Sequence, residues 1–194
     1  ATGQLQVTVA GPEVLLSHLG LKVARDIMMR TPKATFEYQA CDDLHAIHAV
    51  SSRDAHLGLV TSEATPTANS KPSGGLTSKV VGECKFLTVV GPGHPLYRAA
   101  QSKKAIPVET VLKHAFVSPS RSILGKVGIK QSLDGWRDDQ FPRKVIYLTT
   151  HLKLLESIVT QGEAIAYLPD YYAKSLDVLA LKVVGCPYTC IQQI

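Results

Sequence analysis

Alternating strand and helix patterns in the first 60 residues constrain the fold of this chain most. Residues 5–9 alternate between apolar and polar, as in a half-buried strand, and residues 14–31 carry an apolar stripe of helical spacing that ends before a proline. Strands are predicted at 35–38 and 56–60, with a helix between them that has Asp42 as its N-cap. This β-α-β-α-β order predicts a parallel sheet with right-handed crossovers and an α/β class.

A second α/β series follows a polar interruption. Residues 61–75 are rich in Thr, Ser, Pro, Ala and Gly and predict a long loop, after which strands are predicted at 76–81 and 85–90. The rest is predicted as a helix near Pro107, a strand at 115–118, a looser helical stretch at 123–133, a strand at 145–148, a helix at 150–161, a strand at 164–168, a short helix opened by Pro169, and strands at 178–184 and 188–194. Two such series predict two lobes joined by crossing strands, with a ligand cleft between them.

Composition argues against several classes of protein. The chain has 194 residues, of which 45% are hydrophobic and 19% charged, so it can bury a full core. It has no apolar run of the ~18 residues that cross a bilayer, and its first residues lack the pattern of a signal peptide. This favours the cytoplasm, although a mature exported protein would also lack its signal. The net charge of +5 is spread along the chain, which makes this part of the protein a poor candidate for gripping DNA.

The sequence predicts neither a metal site nor a cofactor. Cys41, Cys84, Cys186 and Cys190 are far apart except for one C-x3-C pair, which is neither a usual zinc motif nor a redox C-x-x-C motif, so reduced thiols are expected. No phosphate-binding glycine motif is present, because the glycines at 91–93 lack the rest of either pattern.

Four junctions between a strand and the next element are the candidate ligand-binding segments: residues 10–14, 61–62, 118–122 and 149–151. Backbone N–H groups at helix starts, several hydroxyls, one guanidinium and one imidazole occur there, a set suited to a small polar molecule, including a carboxylate paired with Arg121. Simpler roles as helix caps and turns remain open for Thr149, Thr150 and residues 118–122. Glu13 suits the positive end of its helix dipole but would compete with an anionic ligand for the same N–H groups.

The same segments are less suited to catalysis. Ser120 does not lie in a Gly-x-Ser-x-Gly elbow, and no spacing ties it to His151 as a catalytic base. The expectation is therefore a binding protein with no catalytic residues.

Short motifs, in a characteristic order, resemble a known family. Residues 154–170 are similar to a helix, a Gly-x-Gly-Ile-x-x-Leu-Pro turn and a following helix, and residues 91–96 match a recurrent His-Pro-Leu turn. Residues 3–7 and the strand at 57–60 stand where the same family has comparable segments. The chain resembles, over nearly its whole length, the effector-binding domain of bacterial LysR-type transcriptional regulators, which is similar in fold to type 2 periplasmic solute-binding proteins.

The resemblance implies an organisation and a set of partners. Two Rossmann-like lobes joined by crossover strands are expected, lobe I comprising residues 1–84 and 176–194 and lobe II residues 85–175. A small-molecule effector in the cleft, a homodimer formed by these domains and a tetrameric full-length regulator are also implied. DNA would be bound only through an N-terminal helix-turn-helix domain that is absent from this chain.

Effector contacts of the family fall on the junctions selected above. They correspond to Gly11, Pro12 and Glu13, to Thr61, to Ser118, Ser120 and Arg121, and to Thr149 and Thr150. Many members have Ser or Thr where this chain has Gly11, Pro12 and Glu13, a departure that argues against an anionic effector. The second glycine of the Gly-x-Gly-Ile turn is Ala164 here, which is expected to be a packing variation.

Two other functions compete with the regulator hypothesis. An exported solute-binding protein of similar fold would deliver its ligand to a transporter, and only upstream sequence separates it cleanly from a regulator. A hydrolase that uses Ser120 and His151 is the third hypothesis.

Overall fold

The structure, a computed structural model of the chain, describes residues 5–63, 75–125 and 130–194. The described strands are β1 (Gln6–Gly11), β2 (Thr35–Ala40), β3 (Leu57–Gly58), β4 (Ser62–Glu63), β5 (Glu83–Val90), β6 (Ala105–Pro107), β7 (Ala115–Pro119), β8 (Lys144–Thr149), β9 (Ala166–Pro169), β10 (Leu179–Ala180), β11 (Lys182–Val184) and β12 (Ile191–Gln193). The described α-helices are α1 (Glu13–Leu15), α2 (Leu21–Arg30), α3 (Asp43–Ser51), α4 (Tyr97–Gln101), α5 (Val108–Val111), α6 (Leu152–Thr160) and α7 (Asp170–Ala173).

The N-terminal part forms the predicted parallel sheet, with strand order β2-β1-β3. Val9 and Ala10 of the central strand are fully buried, as expected of a strand covered on both faces. Asp42 caps α3 as predicted, because its carboxylate accepts a hydrogen bond from the His45 N–H at 2.9 Å. The β-α-β-α-β prediction is confirmed here.

A π-helical segment, Leu16–Gly20, joins α1 to α2 within the predicted first helix. The Tyr38 hydroxyl donates to the Gly20 carbonyl oxygen at 3.1 Å, and a Cβ atom on Gly20 would come within 2.9 Å of the Tyr38 ring. Gly20 therefore lets β2 pack closely against the end of this segment, where a larger residue would clash.

An antiparallel sheet surrounds the long strand β5, which pairs with β9, β10 and β12, while β4 pairs with the other edge of β12. Two smaller parallel pairs, β7 with β8 and β6 with β11, belong to the second half of the chain. The architecture is therefore mixed α/β with several sheets.

The largest apolar core joins distant parts of the chain. It contains Val14 and Leu15 from the first helix, Ile123 and Leu124 from the segment after β7, and Leu155 from α6. Because the beginning of the first helix packs against residues more than 100 positions away, the core brings the strand-to-helix junctions together.

Two predicted elements are wrong. Residues 76–81 form no strand; Val80 and Val81 are exposed, and pairing with the C-terminal residues begins at the end of this stretch, where the Val81 N–H donates to the Ile194 carbonyl oxygen at 2.7 Å. The looser helix predicted at 123–133 is replaced, where described, by turns and irregular backbone, because Gly125 has a φ of +99° that no helix accepts. The third strand covers only Leu57–Gly58, and most of the predicted loop at 61–75 lies outside the described residues, after a short strand at its start. Helix α4 and strand β6 were not predicted.

His94 gives the protein a predicted sensitivity to acid. The side chain is 6% exposed, its Nδ1 accepts the Leu96 N–H at 3.1 Å, and its ring lies 5.1 Å from that of His114. Burial, and then the neighbouring His114, lower the pKa of His94 from 6.5 to about 4. The folded protein thus binds fewer protons than the unfolded chain between these pH values, and the free energy of unfolding is expected to fall by about 2 kcal/mol as the pH drops through this window.

Urea unfolding across that pH window measures this effect. His94→Asn, which retains an acceptor for the Leu96 N–H, should flatten the dependence, whereas His48→Asn on the exposed face of α3 should not. An equally steep dependence in wild type and His94→Asn would show that another group is responsible.

Candidate functional site

The first junction connects β1 to the first helix at Gly11 and Pro12, both of which are buried. A Cβ atom on Gly11 would lie 2.3 Å from the Leu59 carbonyl oxygen, so only glycine fits beside the chain that follows β3. The Pro12 carbonyl oxygen accepts the Leu15 and Leu16 N–H groups at 2.9 and 3.1 Å. Proline has no N–H group that would need a partner at this helix start.

Glu13 lies at this junction but contacts the fourth one. Its Oε2 accepts the N–H of Leu152, the first residue of α6, at 3.2 Å. The positive end of the α6 dipole favours this carboxylate. The sequence predicted that Glu13 would compete for N–H groups of its own helix, and the structure instead shows it at the start of a helix 139 residues away.

The third junction also contacts the first. The Val14 N–H donates to the Ile123 carbonyl oxygen at 3.2 Å, so one of the N–H groups expected to receive a ligand oxygen already has a protein partner. Ser120 and Arg121 are exposed, while Ser118 is buried and donates to Asp134 at 3.3 Å. Ser118 thus belongs to an interior hydrogen-bond network, and the other two side chains remain available to a ligand.

The fourth junction is linked to the third through the backbone, because the Ser120 N–H donates to the Thr149 carbonyl oxygen at 2.8 Å. Thr149 is buried, and its hydroxyl oxygen accepts the His151 N–H at 3.0 Å, immediately before α6. Thr150 is exposed. Thr149 therefore supports the start of α6, the simpler role considered from the sequence, and Thr150 presents a hydroxyl to solvent.

Thr61, at the second junction, is buried beside Asp43. Its N–H and hydroxyl both hydrogen bond to Asp43 Oδ1, the hydroxyl at 3.2 Å. Burial raises the pKa of Asp43, although the bonds from Thr61 oppose the shift. A Cβ atom on Gly125 would lie 2.5 Å from the Thr61 hydroxyl oxygen, so the loop after the third junction packs directly onto Thr61. All four predicted junctions are thus connected by short contacts.

One cavity borders this network at Glu13 and Leu152, and a second lies beside β5. The larger, of about 370 Å³, is lined by Glu13, Ser17, His18, Leu152, Lys153, Glu156, Tyr172, Ser175 and Leu176. The smaller, of about 210 Å³, lies between β5 and the segment before β12 and has Trp136, Tyr167 and Tyr188 in its wall. Among the predicted site residues only Glu13 lines either one. The sequence analysis missed the others, although Ser17 and His18 interrupt the apolar pattern one turn after Glu13.

Within the described ranges, no three His, Cys, Asp or Glu side chains are grouped closely enough to hold a metal ion. The four cysteines are unpaired in the structure. None of the described helices is both long and apolar enough to cross a bilayer.

Comparison with known proteins places the chain in a family. The family model described as the LysR substrate binding domain matches residues 2–189. A search of the curated proteins finds no match.

Solved structures share the fold at low sequence identity. The regulatory domain of CcmR from Synechocystis PCC6803, in complex with 2-PG, is 12% identical with a TM-score of 0.65, covering 98% of this chain and 88% of that one. The C-terminal domain of a probable LysR family transcriptional regulator from Rhodococcus sp. RHA1 is 14% identical with a TM-score of 0.64, covering 98% and 90%. Full-length CbnR, complexed with its target DNA, is 13% identical with a TM-score of 0.60, and the match covers 99% of this chain but 63% of CbnR.

The family match spans nearly the whole sequence, and the sheets and junctions are those expected of a type 2 periplasmic-binding-protein-like fold. The chain therefore belongs to the LysR substrate-binding domain family and is the effector-binding domain of a LysR-type transcriptional regulator.

Proposed function

We propose that the effector is a small polar molecule held by the connected junctions, at Gly11, Pro12, Glu13, Thr61, Ser118, Ser120, Arg121, Thr149 and Thr150. The observation that carries this proposal is the set of contacts across the chain, Glu13 with Leu152, Val14 with Ile123, and Ser120 with Thr149. The first two contacts join residues more than 100 positions apart, so a ligand inserted among these segments can change the geometry of the whole domain.

Within this set, three exposed side chains are the best direct contacts. Ser120 and Thr150 offer hydroxyls and Arg121 a guanidinium, whereas Ser118, Thr61 and Thr149 already have buried hydrogen-bond partners that position the site. Glu13 occupies the start of α6, so an effector carboxylate would have to displace it there. The arrangement favours an effector rich in hydroxyl groups, with any negative charge directed to Arg121.

The lobe division proposed for this function separates two parallel sheets, while its boundary runs through β5 and the pair β6-β11 joins the two lobes. The sheet β2-β1-β3 lies within residues 1–84, and the pair β7-β8 lies within residues 85–175. The antiparallel sheet around β5 includes β12 from the C-terminal segment, so strands from distant parts of the chain meet there. This arrangement supports two lobes joined by crossover strands with the junctions between them.

The regulator proposal is favoured over its competitors by the family match, which covers residues 2–189. A transporter-associated solute-binding protein has the same fold class but not this family assignment. For the hydrolase, the structure gives Ser120 a backbone bond to Thr149 and, within the residues it describes, no hydrogen bond to His151. The family is one of transcriptional regulators and not a class of enzymes.

Ser120→Ala and Arg121→Ala test the site. Once an effector is identified, Ser120→Ala should weaken its binding by ~0.5–1.5 kcal/mol and Arg121→Ala by ~1.5–3 kcal/mol, as loss of a neutral and of a charged hydrogen bond does. Both side chains are exposed, so the melting temperature should stay close to that of wild type. Titration calorimetry measures the affinities, with the exposed Ser78→Ala as control; normal binding by both variants would place the effector elsewhere.

The domain also carries two exposed apolar edges that support a homodimer. Strand β2 and strand β8 are edge strands of their sheets. Large exposed side chains lie on or beside them: Leu21, Met28, Met29 and Tyr38 on the α2/β2 side, and Ile146, Leu148 and Leu154 on the β8/α6 side. Covering such patches stabilises association. We place the homodimer on these edges, within a cytoplasmic and tetrameric full-length regulator that contacts DNA through a separate domain.

Leu148→Lys tests the dimer. Leu148 is 69% exposed, and a lysine at the centre of an apolar interface should weaken dimerisation by about tenfold or more. Sedimentation measures the change, and Leu44→Lys, at a 72% exposed position on α3 outside both edges, is the matched control. Equal dimerisation of the two variants, or a monomeric wild-type domain, would contradict this placement.

A further inference from the structure

The larger cavity has the size and chemistry of a second ligand site. This cavity, here called the flank pocket, lies between the first helix, the start of α6 and α7, and its volume is about 370 Å³. That volume is within the range of small-molecule sites. It shares Glu13 with the proposed effector site and none of Ser120, Arg121 or Thr150.

Two carboxylates and a phenol dominate the polar part of its wall. Tyr172, which is 5% exposed, donates its hydroxyl to Glu156 Oε2 at 3.1 Å. Glu13 presents its carboxylate from the first helix, with Oε2 on the Leu152 N–H. Leu152 and Leu176 supply apolar surface beside these groups. The pocket therefore combines acceptors for a cation with room for a short aliphatic chain.

Two carboxylates in the flank pocket act on the same buried hydroxyl, that of Tyr172. Burial, then the charge of Glu156 and then that of Glu13, raise the pKa of the Tyr172 phenol, so both carboxylates are felt at that hydroxyl. Burial and the nearby Lys22 lower the pKa of His18, which therefore adds no positive charge at neutral pH.

Lys153 is the one cation in the wall as the structure describes it, and it is weakly held. Its Nζ pairs with Glu156 Oε1 while its side chain is 79% exposed. Exposed pairs of this kind contribute little, because water screens them and the long side chain must be ordered. An ammonium group from a ligand can therefore replace Lys153 at Glu156 without leaving a buried charge unpaired.

We propose that the flank pocket binds a small aliphatic amine, whose ammonium group lies between Glu13 and Glu156 in the place of Lys153. The amine also contacts the carboxylate that receives the Leu152 N–H, so its binding changes the start of α6 and thereby the fourth junction. This site is additional to the proposed effector site, and it gives the domain a second chemical input.

Titration of the whole domain with butane-1,4-diamine tests the proposal, with butane-1,4-diol as the uncharged probe of equal length. Saturable binding of the diamine, at least tenfold tighter than that of the diol, is expected. Glu156→Gln should weaken diamine binding about tenfold, as loss of one charged pair does. Glu109→Gln on α5, outside the pocket, should leave it unchanged.

Lys153→Ala separates the proposal from a general loss of structure. The variant should strengthen diamine binding by about two- to fivefold, because Glu156 is then free to pair with the ligand. A general loss of structure would weaken diamine binding instead. Ser120→Ala should not alter diamine binding, so failure of the proposed effector site and failure of this one are distinguishable. Equal binding of diamine and diol, unchanged binding by Glu156→Gln, or weaker binding by Lys153→Ala would overturn the proposal.

Discussion

Arg143→Ala is expected to lower the free energy of unfolding by about 3–5 kcal/mol, the loss typical when one partner of a buried ion pair is removed. The Arg143 side chain is fully buried and pairs with Asp134, itself 1% exposed, at 2.6 Å, and with Asp138 at 2.8 Å. Its guanidinium also lies over the rings of Phe116 and Trp136, 5.3 and 5.2 Å from their centroids. The variant leaves the buried Asp134 without the cation that pairs with it.

The pKa of Asp138 reflects the same pair. Burial acts to raise it, but the hydrogen bonds from Arg143 and Ser132 hold it below its ordinary value. Removing the guanidinium should therefore make the free energy of unfolding less sensitive to acid, because the folded and unfolded states then take up the Asp138 proton at more similar pH.

Urea unfolding followed by the fluorescence of Trp136, the single tryptophan, measures the loss directly. Arg137→Ala is the matched control, because Arg137 pairs with Asp139 at the surface and should change stability little. Similar stabilities for the two variants would show that the buried pair does not hold this region together.

Gly162→Ala is expected to destabilise the fold by about 3 kcal/mol or more, since it combines a strained backbone with overpacking. Gly162 follows α6 with a φ of +74°, as glycine does at helix ends. A Cβ atom there would lie 2.3 Å from the Pro92 carbonyl oxygen and 2.7 Å from the His94 nitrogen. Both neighbours are backbone atoms in a turn that is itself hydrogen bonded, so they have little freedom to move.

Gly93→Ala separates the two contributions. Gly93 has a φ of +88°, but the nearest atom to a Cβ there is 3.8 Å away, so this variant should show the backbone strain of about 1 kcal/mol without the clash. Denaturant unfolding of both variants gives the comparison, and equal losses would mean that the packing of residues 91–96 against the end of α6 is looser than the structure shows.

The spacing of apolar residues was sufficient to predict those helices and strands that depend on local sequence. The strand β1, the helix after it, the Asp42 cap and α6 with Gly162 at its end all follow from spacing, capping and glycine placement. Residues 76–81 look like a strand from their composition, but a strand also needs a partner along its length, and in the described part of the chain backbone pairing with Ile194 begins at Val81.

Contacts between residues far apart in the chain could not be predicted from the sequence. The stretch that contains Asp134, Asp138 and Arg143 is polar in sequence, yet it forms a buried ion-pair network in which Phe116 and Trp136 cover the guanidinium. No local pattern shows which charged residues a tertiary structure will bury.

The candidate site likewise has features that the sequence predicts and features that it does not. The ends of strands meet at a cleft in folds of this kind, and this rule predicted that the junctions would lie close together. The contacts of Val14 with Ile123 and of Ser120 with Thr149 agree with that prediction. The contact of Glu13 with Leu152 and the flank pocket depend on how the first helix meets α6 and α7, which requires the folded structure. The nine proposed site residues stay a prediction.

A thermal-shift screen of the wild-type domain is the most direct test of effector sensing. Small carboxylates, amino acids, sugars and aromatic acids would each be added. A ligand that binds only the folded state raises the melting temperature, because at 100 times its dissociation constant it increases the free energy of unfolding by about 2.7 kcal/mol. We expect a selective, saturable rise in melting temperature with one hydroxyl-rich class of compounds, and a smaller rise in the Arg121→Ala variant. A selective rise that Ser120→Ala and Arg121→Ala both leave unchanged would contradict binding at the connected junctions.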